Sequence, residues 1–145
     1  MQMYRNFSLA EMTDSDTARK MGISNNPPAE AIAHLGELCG SILQPLRDAW
    51  GKPVVVTSGY RCERLNKAVG GTATSAHCFG WAADVQPQDM RDFAKFASFV
   101  KSFLLTRGIR FDQCIIESSS ATKWVHIGIR NRNGEQRGQT FNMVV

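Results

Sequence analysis

The chain has 145 residues, 43% of them hydrophobic and 21% charged, and carries a net charge of +4 at pH 7. That length supports one domain whose core needs no disulfide staples, and the composition excludes a disordered chain. No apolar run reaches the length of a transmembrane helix. The N-terminal MQMYRNFSLAEM lacks a basic segment followed by an apolar one, so no secretory signal is visible. Synthesis and folding in a cytoplasm are expected, with something else carrying the chain if it acts outside. The positive charge suits an anionic partner such as nucleic acid, a membrane surface or cell wall, but the basic residues are scattered. Their one cluster, RNRNGEQR, is interrupted by Glu135 and reads as a solvated turn rather than a nucleic-acid patch. The four cysteines, Cys39, Cys62, Cys78 and Cys114, form no CxxC pair and read as reduced, small buried residues.

In chain order, Ser8 caps a helix and Glu11 completes a capping box, with Phe7 and Met12 placed for a hydrophobic staple. TDSDTARKMG predicts a second short helix stopped by Gly22. NNPP is a turn and a helix start. From Ala29 to Trp50 the apolar Ile32, Leu35, Leu38, Ile42 and Leu46 share one helical face, and Pro45 is a place for this helix to bend or shorten. His34 lies off that stripe and reads as a surface residue. PVVVTS predicts a buried strand from its β-branched run. Arg61 to Val69 reads as a short helix ended by Gly70-Gly71, WAADV as a strand, and Met90 to Leu105 as a long helix with Phe93, Phe96, Val100 and Phe103 inward.

FDQCIIE and KWVHIGI around SSSAT carry a hairpin signal, and TFNMVV is a final strand. Helices come first and strands cluster late, which predicts an α+β fold with an antiparallel sheet packed against helices. Residues 1–145 are expected to form a single domain, with a helical part over 1–50 and the sheet over 51–145.

Two of the three histidines fall in frames rich in glycine and aromatic residues. His77 follows the Gly70-Gly71 turn, and Asp84 lies seven residues on, where Ala82 and Asp84 share a strand face. In WVHIG, His126 shares a face with Trp124 and Gly128, while Val125 and Ile127 turn inward. Taken singly, each residue has an ordinary structural reading. Together, two imidazoles and one carboxylate suit a catalytic zinc that keeps a fourth position for water.

SGYR, LNKAVGG, SAHCFGWAADV and WVHIG together resemble the zinc D-Ala-D-Ala carboxypeptidase family, which includes related cell-wall endopeptidases. The matching positions are Ser75, His77, Gly80, Ala82 and Asp84, then Trp124 and His126. NFSLAEMTDSDTARKMGISNNPP resembles one branch of that family, with single-domain forms in bacteria and phages. The resemblance implies the hedgehog/DD-peptidase fold and one catalytic Zn2+ on His77, Asp84 and His126. It also implies a peptidoglycan peptide as substrate and the cell wall, in a bacterial or phage setting, as the place of action. Nucleic acid, by contrast, is supported by net charge alone.

Arg61 matches the arginine of SGYR. Its guanidinium could hold a substrate carboxylate or polarise the scissile carbonyl, or it could be a structural ion pair. Ser75 orients the loop or touches substrate. Relatives commonly place an acid three residues before the last histidine, where this chain has Lys123. The replacement general base is Glu117: if Ile115 pairs with His126, Glu117 falls opposite Trp124, on the face of His126. Gln113 shares that parity and could line the cleft with Trp124, and Asp112 lies further back. D-Ala-D-Ala carboxypeptidase activity is the expected function. An L-Ala-D-Glu endopeptidase of endolysin type and a non-catalytic zinc or cell-wall-peptide binding module are the alternatives.

Overall fold

A computed structural model describes all 145 residues. The chain opens with a small hairpin, β1 (Gln2–Tyr4) and β2 (Phe7–Ser8), that the sequence reading had not anticipated. Helix α1 (Leu9–Thr13) then begins at Ser8, whose hydroxyl accepts the Glu11 N–H at 3.1 Å, and Phe7 and Met12 are both fully buried. This is the expected capping box with its staple. Helix α2 (Asp16–Met21) ends at Gly22 as anticipated.

Helix α3 (Ala29–Leu38) does not stop before Pro45. It runs through a wider π-type turn over Cys39–Leu43 into α4 (Gln44–Trp50). Pro45 has no N–H to give the turn before it, and the Gln44 N–H bonds the carbonyl of Cys39 five residues back. The extra residue absorbs the proline without breaking the rod. Its inward face carries Ala31, Leu35, Leu38, Ile42 and Leu46, while Ile32 is only half-buried.

Five strands form the main sheet, in the order β3 (Val54–Ser58), β4 (Ala82–Pro87), β6 (Lys123–Gly128), β5 (Gln113–Ser118) and β7 (Gln139–Val144). Between them lie α5 (Glu63–Ala68) and α6 (Phe93–Thr106). Two expectations change here. β3 is an edge strand, buried at Val54 but 39% exposed at Val55, so it alternates rather than being buried throughout. The sheet is also mixed: β7 pairs with β5 in parallel. The chain runs up β5 and down β6, and β4 already occupies the other side of β6. The last strand, β7, takes the outer edge of β5 rather than that of β3, and it travels in the direction of β5.

One sheet face packs on the helices. Ala83, Val85, Cys114, Val125 and Ile127 meet Phe96, Val100 and Phe103 of α6 and Leu35, Leu38 and Leu46 of the long helical rod in one apolar cluster. Each fully buried large side chain there contributes roughly 1.5–3 kcal/mol. The opposite face carries no long helix, only the short Ala76–Phe79 turn beside β4, and Asp84, Gln113, Glu117, Trp124 and His126 point into it. No helix is long and apolar enough to cross a membrane.

Candidate active site

Strand parity puts Asp84 on the uncovered face of β4, directly beside His126 on β6. His77 arrives from a short 3-10 turn, Ala76–Phe79, that begins at Ser75 and ends at Gly80 with φ of 78°. A Cβ on Gly80 would collide with the Ala31 carbonyl of α3, so only glycine lets this turn lie against the helix and deliver the imidazole over the sheet. His77 Nε2 stands 3.3 Å and His126 Nδ1 3.0 Å from the same oxygen, Asp84 Oδ1. The three potential ligand atoms all lie within 4.8 Å of one another. Bonds of about 2.0–2.1 Å to a tetrahedral zinc place ligand atoms about 3.3 Å apart, so the residues fit the ion.

The tautomer of His77 points the same way. Its Nδ1 lies 2.7 Å from the Gly59 carbonyl oxygen. A carbonyl only accepts, so Nδ1 carries the proton and Nε2 presents a lone pair to a carboxylate oxygen. Two lone pairs at 3.3 Å suit a shared cation between them. Burial lowers the pKa of His77, while the charge and hydrogen bond of Asp84 act to raise it. Gly59 is itself required: a Cβ there would strike the Met12 carbonyl, which accepts the Tyr60 N–H at 2.8 Å. Burial also opposes ionisation of Asp84, but His77 and His126 overcome it and hold the carboxyl well below its usual value. For His126, burial disfavours the charged form, yet the hydrogen bond and charge of Asp84 lift its pKa above 6.5.

Arg61 lies just before α5, not within it. Its Nε donates to Ser58 Oγ at 3.0 Å, Nη1 to Asn66 Oδ1 at 3.2 Å and Nη2 to Asp84 Oδ2 at 3.4 Å. Arg61 is thus an ion-pair partner that steadies Asp84 from behind, and it also lines the cleft. Ser75 accepts the His77 N–H at 3.2 Å, which orients the loop.

The hairpin register is Ile115 opposite His126 and Glu117 opposite Trp124, the arrangement the sequence suggested. The indole N–H of Trp124 donates to Glu117 Oε2 at 3.0 Å. Burial, then the nearby charge of Asp84, raises the Glu117 pKa above 4.5. Lys123 lies on the other face, its ammonium 5.8 Å from the centre of the Phe93 ring, so position 123 contributes nothing to the cleft. Gln113 does line it, bonded to Gln139 at 3.0 Å. The cleft encloses about 570 Å³.

Several supports escaped the sequence reading. His34 is not a surface residue: its side chain is 19% exposed, its Nδ1 donates to the Phe79 carbonyl at 2.6 Å, and its ring stacks on Trp81 at 3.9 Å. It clamps the turn that carries His77 to α3. Asn25 bridges the Thr13 and Tyr60 carbonyls and accepts from the Cys62 N–H. Asp112 is buried against Arg137 in a two-pronged pair at 2.8 and 2.9 Å. Arg130 pairs with Glu37, so two of the arginines in RNRNGEQR anchor the turn rather than lie free in solvent. Off-stripe polarity at His34 was the one available hint. The Arg130 and Arg137 pairs join residues too distant in sequence for spacing to suggest.

An α+β domain that gathers two imidazoles and a carboxylate on an uncovered sheet face, with a further carboxylate beside them, has the form of a mononuclear metallohydrolase. The profile of the family described as Peptidase M15 matches residues 5–128. The chain belongs to that family, a zinc-dependent metallopeptidase family. No curated protein matches the chain.

Proposed function

We propose that this protein is a zinc peptidase of peptidoglycan stem peptides, acting as a D-Ala-D-Ala carboxypeptidase. The convergence of His77 Nε2, His126 Nδ1 and Asp84 Oδ1 beside the Glu117 carboxylate supports the reading most strongly. In it, residues 1–145 work as one catalytic unit, with 1–50 bracing the site that 51–145 carries.

His77, Asp84 and His126 hold the ion. When bound, zinc supplies a Lewis acid that acidifies water and polarises a carbonyl. The Gly59 carbonyl keeps His77 in the ligating tautomer, and Arg61 fixes the rotation of Asp84. Glu117 takes a proton from the attacking water and passes it to the leaving amine. Its raised pKa brings it closer to the range where both transfers are efficient. Trp124 holds Oε2 and so aims the other carboxylate oxygen. Ser75 and Gln113, with Trp124, contact the substrate backbone. Arg61, at the rim, faces the developing oxyanion or the terminal carboxylate.

One observation favours the endopeptidase alternative. Each nitrogen of the Arg61 guanidinium already has a partner, which leaves less of it for a substrate carboxylate. The deciding experiment measures zinc by elemental analysis, D-Ala release from a pentapeptide, and the products of a muropeptide digest by mass spectrometry. One zinc per chain with D-Ala release is expected. Internal cleavage without D-Ala release selects the endopeptidase, and bound zinc with no cleavage of either substrate sinks the enzymatic reading.

A further inference from the structure

The cleft continues beyond the metal ligands onto β7, which lies outside the span matched to the family. The register gives the order. Asp84 stands opposite His126, His126 opposite Ile115, and Ile115 opposite Phe141. One row thus crosses the uncovered face from β4 to β7. A neighbouring row runs Trp124, Glu117, Met143. Phe141, Met143 and Val145 all line the cleft, with exposures of 41%, 39% and 58%. Ile115 is buried between them and the metal ligands.

Contiguous exposed apolar surface is rare without a use, and on an edge strand it is a hazard. This patch is held in place rather than left loose. Asp112 and Arg137 pin the start of β7, and the Val145 N–H bonds the Ser118 carbonyl at its end, at 2.8 Å. We propose that Phe141 and Met143 form an apolar specificity wall for the peptide substrate, a proposal that rests on the peptidase reading. Strands are spaced about 4.8 Å, so Phe141 lies roughly 10 Å from His126. An extended peptide covers about 3.3–3.6 Å per residue. The wall therefore meets an apolar side chain about three residues beyond the one that carries the scissile carbonyl. For a peptide cut next to its C-terminus, only the N-terminal side is long enough to reach. The continuity of this wall with the metal-bearing cleft assigns it to substrate rather than to a second copy of the chain.

The test uses zinc-loaded full-length protein and N-acetylated peptides ending in D-Ala-D-Ala, extended by none to three residues, with leucine or glutamate at the third added place. Wild type should show its main rise in kcat/KM at the third residue, with leucine favoured roughly tenfold over glutamate. Phe141→Ser should lower kcat/KM for the leucine peptide at least tenfold more than for the unextended one, chiefly through KM. Phe141→Leu should keep most of the selectivity, which guards against a folding artefact. Equal losses on all peptides, or no length dependence in wild type, overturn the wall while leaving the peptidase reading intact. Failure of wild type to cut any peptide overturns both. Sedimentation of the same variants reads the other occupant: a wild-type dimer that Phe141→Ser dissociates without changing selectivity makes the strand an interface and refutes the proposal.

Discussion

Glu117 and Trp124 face each other across β5 and β6, and the indole N–H of one donates to the carboxylate of the other at 3.0 Å. The bond fixes a carboxylate whose neighbours on the same face are the metal ligand His126 and the apolar Ile115 and Met143. In the proposed reaction this carboxylate, held on the adjacent strand, is the base that position 123 does not supply. Glu117→Gln should retain zinc and lose kcat by roughly 10²–10⁴-fold. Trp124→Phe, which frees the carboxylate, should lose on the order of tenfold. A Gln variant with full turnover would falsify the assignment of the base.

His77→Ala should lose zinc, and stripping zinc from the wild type should lower its melting temperature. At a free zinc concentration one hundred times Kd, binding adds about 2.7 kcal/mol. For a domain of this size that is roughly 5–10 °C. Differential scanning calorimetry with a chelator, then with zinc restored, checks this; a melting point indifferent to both counts against a metal site.

His34 donates to the Phe79 carbonyl across a sequence separation of 45. Removing it releases one end of the turn that presents His77, without touching a ligand. His34→Ala should weaken zinc binding about tenfold while leaving the far-ultraviolet circular dichroism unchanged. Competition against a fluorescent chelator gives the affinity, and an unchanged Kd would show that the clamp is idle.

The raised pKa of Glu117 has a sign that can be measured in the metal-free protein. The folded state holds this proton more tightly than the unfolded state, so ionising the carboxyl costs the fold. The penalty is absent below about pH 4.5, grows as pH rises through the folded value, and is complete above it. Glu117→Gln should therefore gain stability relative to wild type between pH 4 and pH 7. Urea melts in chelator at both pH values decide it; a difference that stays constant, or shrinks toward pH 7, contradicts the expectation.

All four cysteines are free thiols. Burial pushes Cys39 up to about 12 and Cys114 up to about 11, which removes their thiolates at neutral pH. A maleimide should label only Cys62 and Cys78 in the native protein and all four after unfolding, as counted by intact mass. Rapid native labelling of Cys39 would show that the helical rod does not pack as described.

The parts of this protein that could be read from sequence are those decided within a few residues. The capping box at Ser8 needs only Glu11 three places on. The stop at Gly22 needs only a left-handed residue. The faces of His126 and Glu117 follow from strand alternation, and the Ile115–His126 register follows from a short polar loop between two strands. The three candidate ligands were legible because the chain has only three histidines, and two of them, with Asp84, sit in distinctive frames.

What stayed hidden depends on segments that meet only after folding. The Gly59 carbonyl sets the tautomer of His77, α3 lends His34 to the turn, and Ser58 and Asn66 occupy Arg61. The choice of the β5 edge over the β3 edge, and the parallel pairing of β7 there, are settled only in the assembled sheet. Local hydrogen bonding and hydrophobic period write elements into a sequence. Which side chain satisfies a distant carbonyl, and which edge a last strand takes, is settled only when the layers pack.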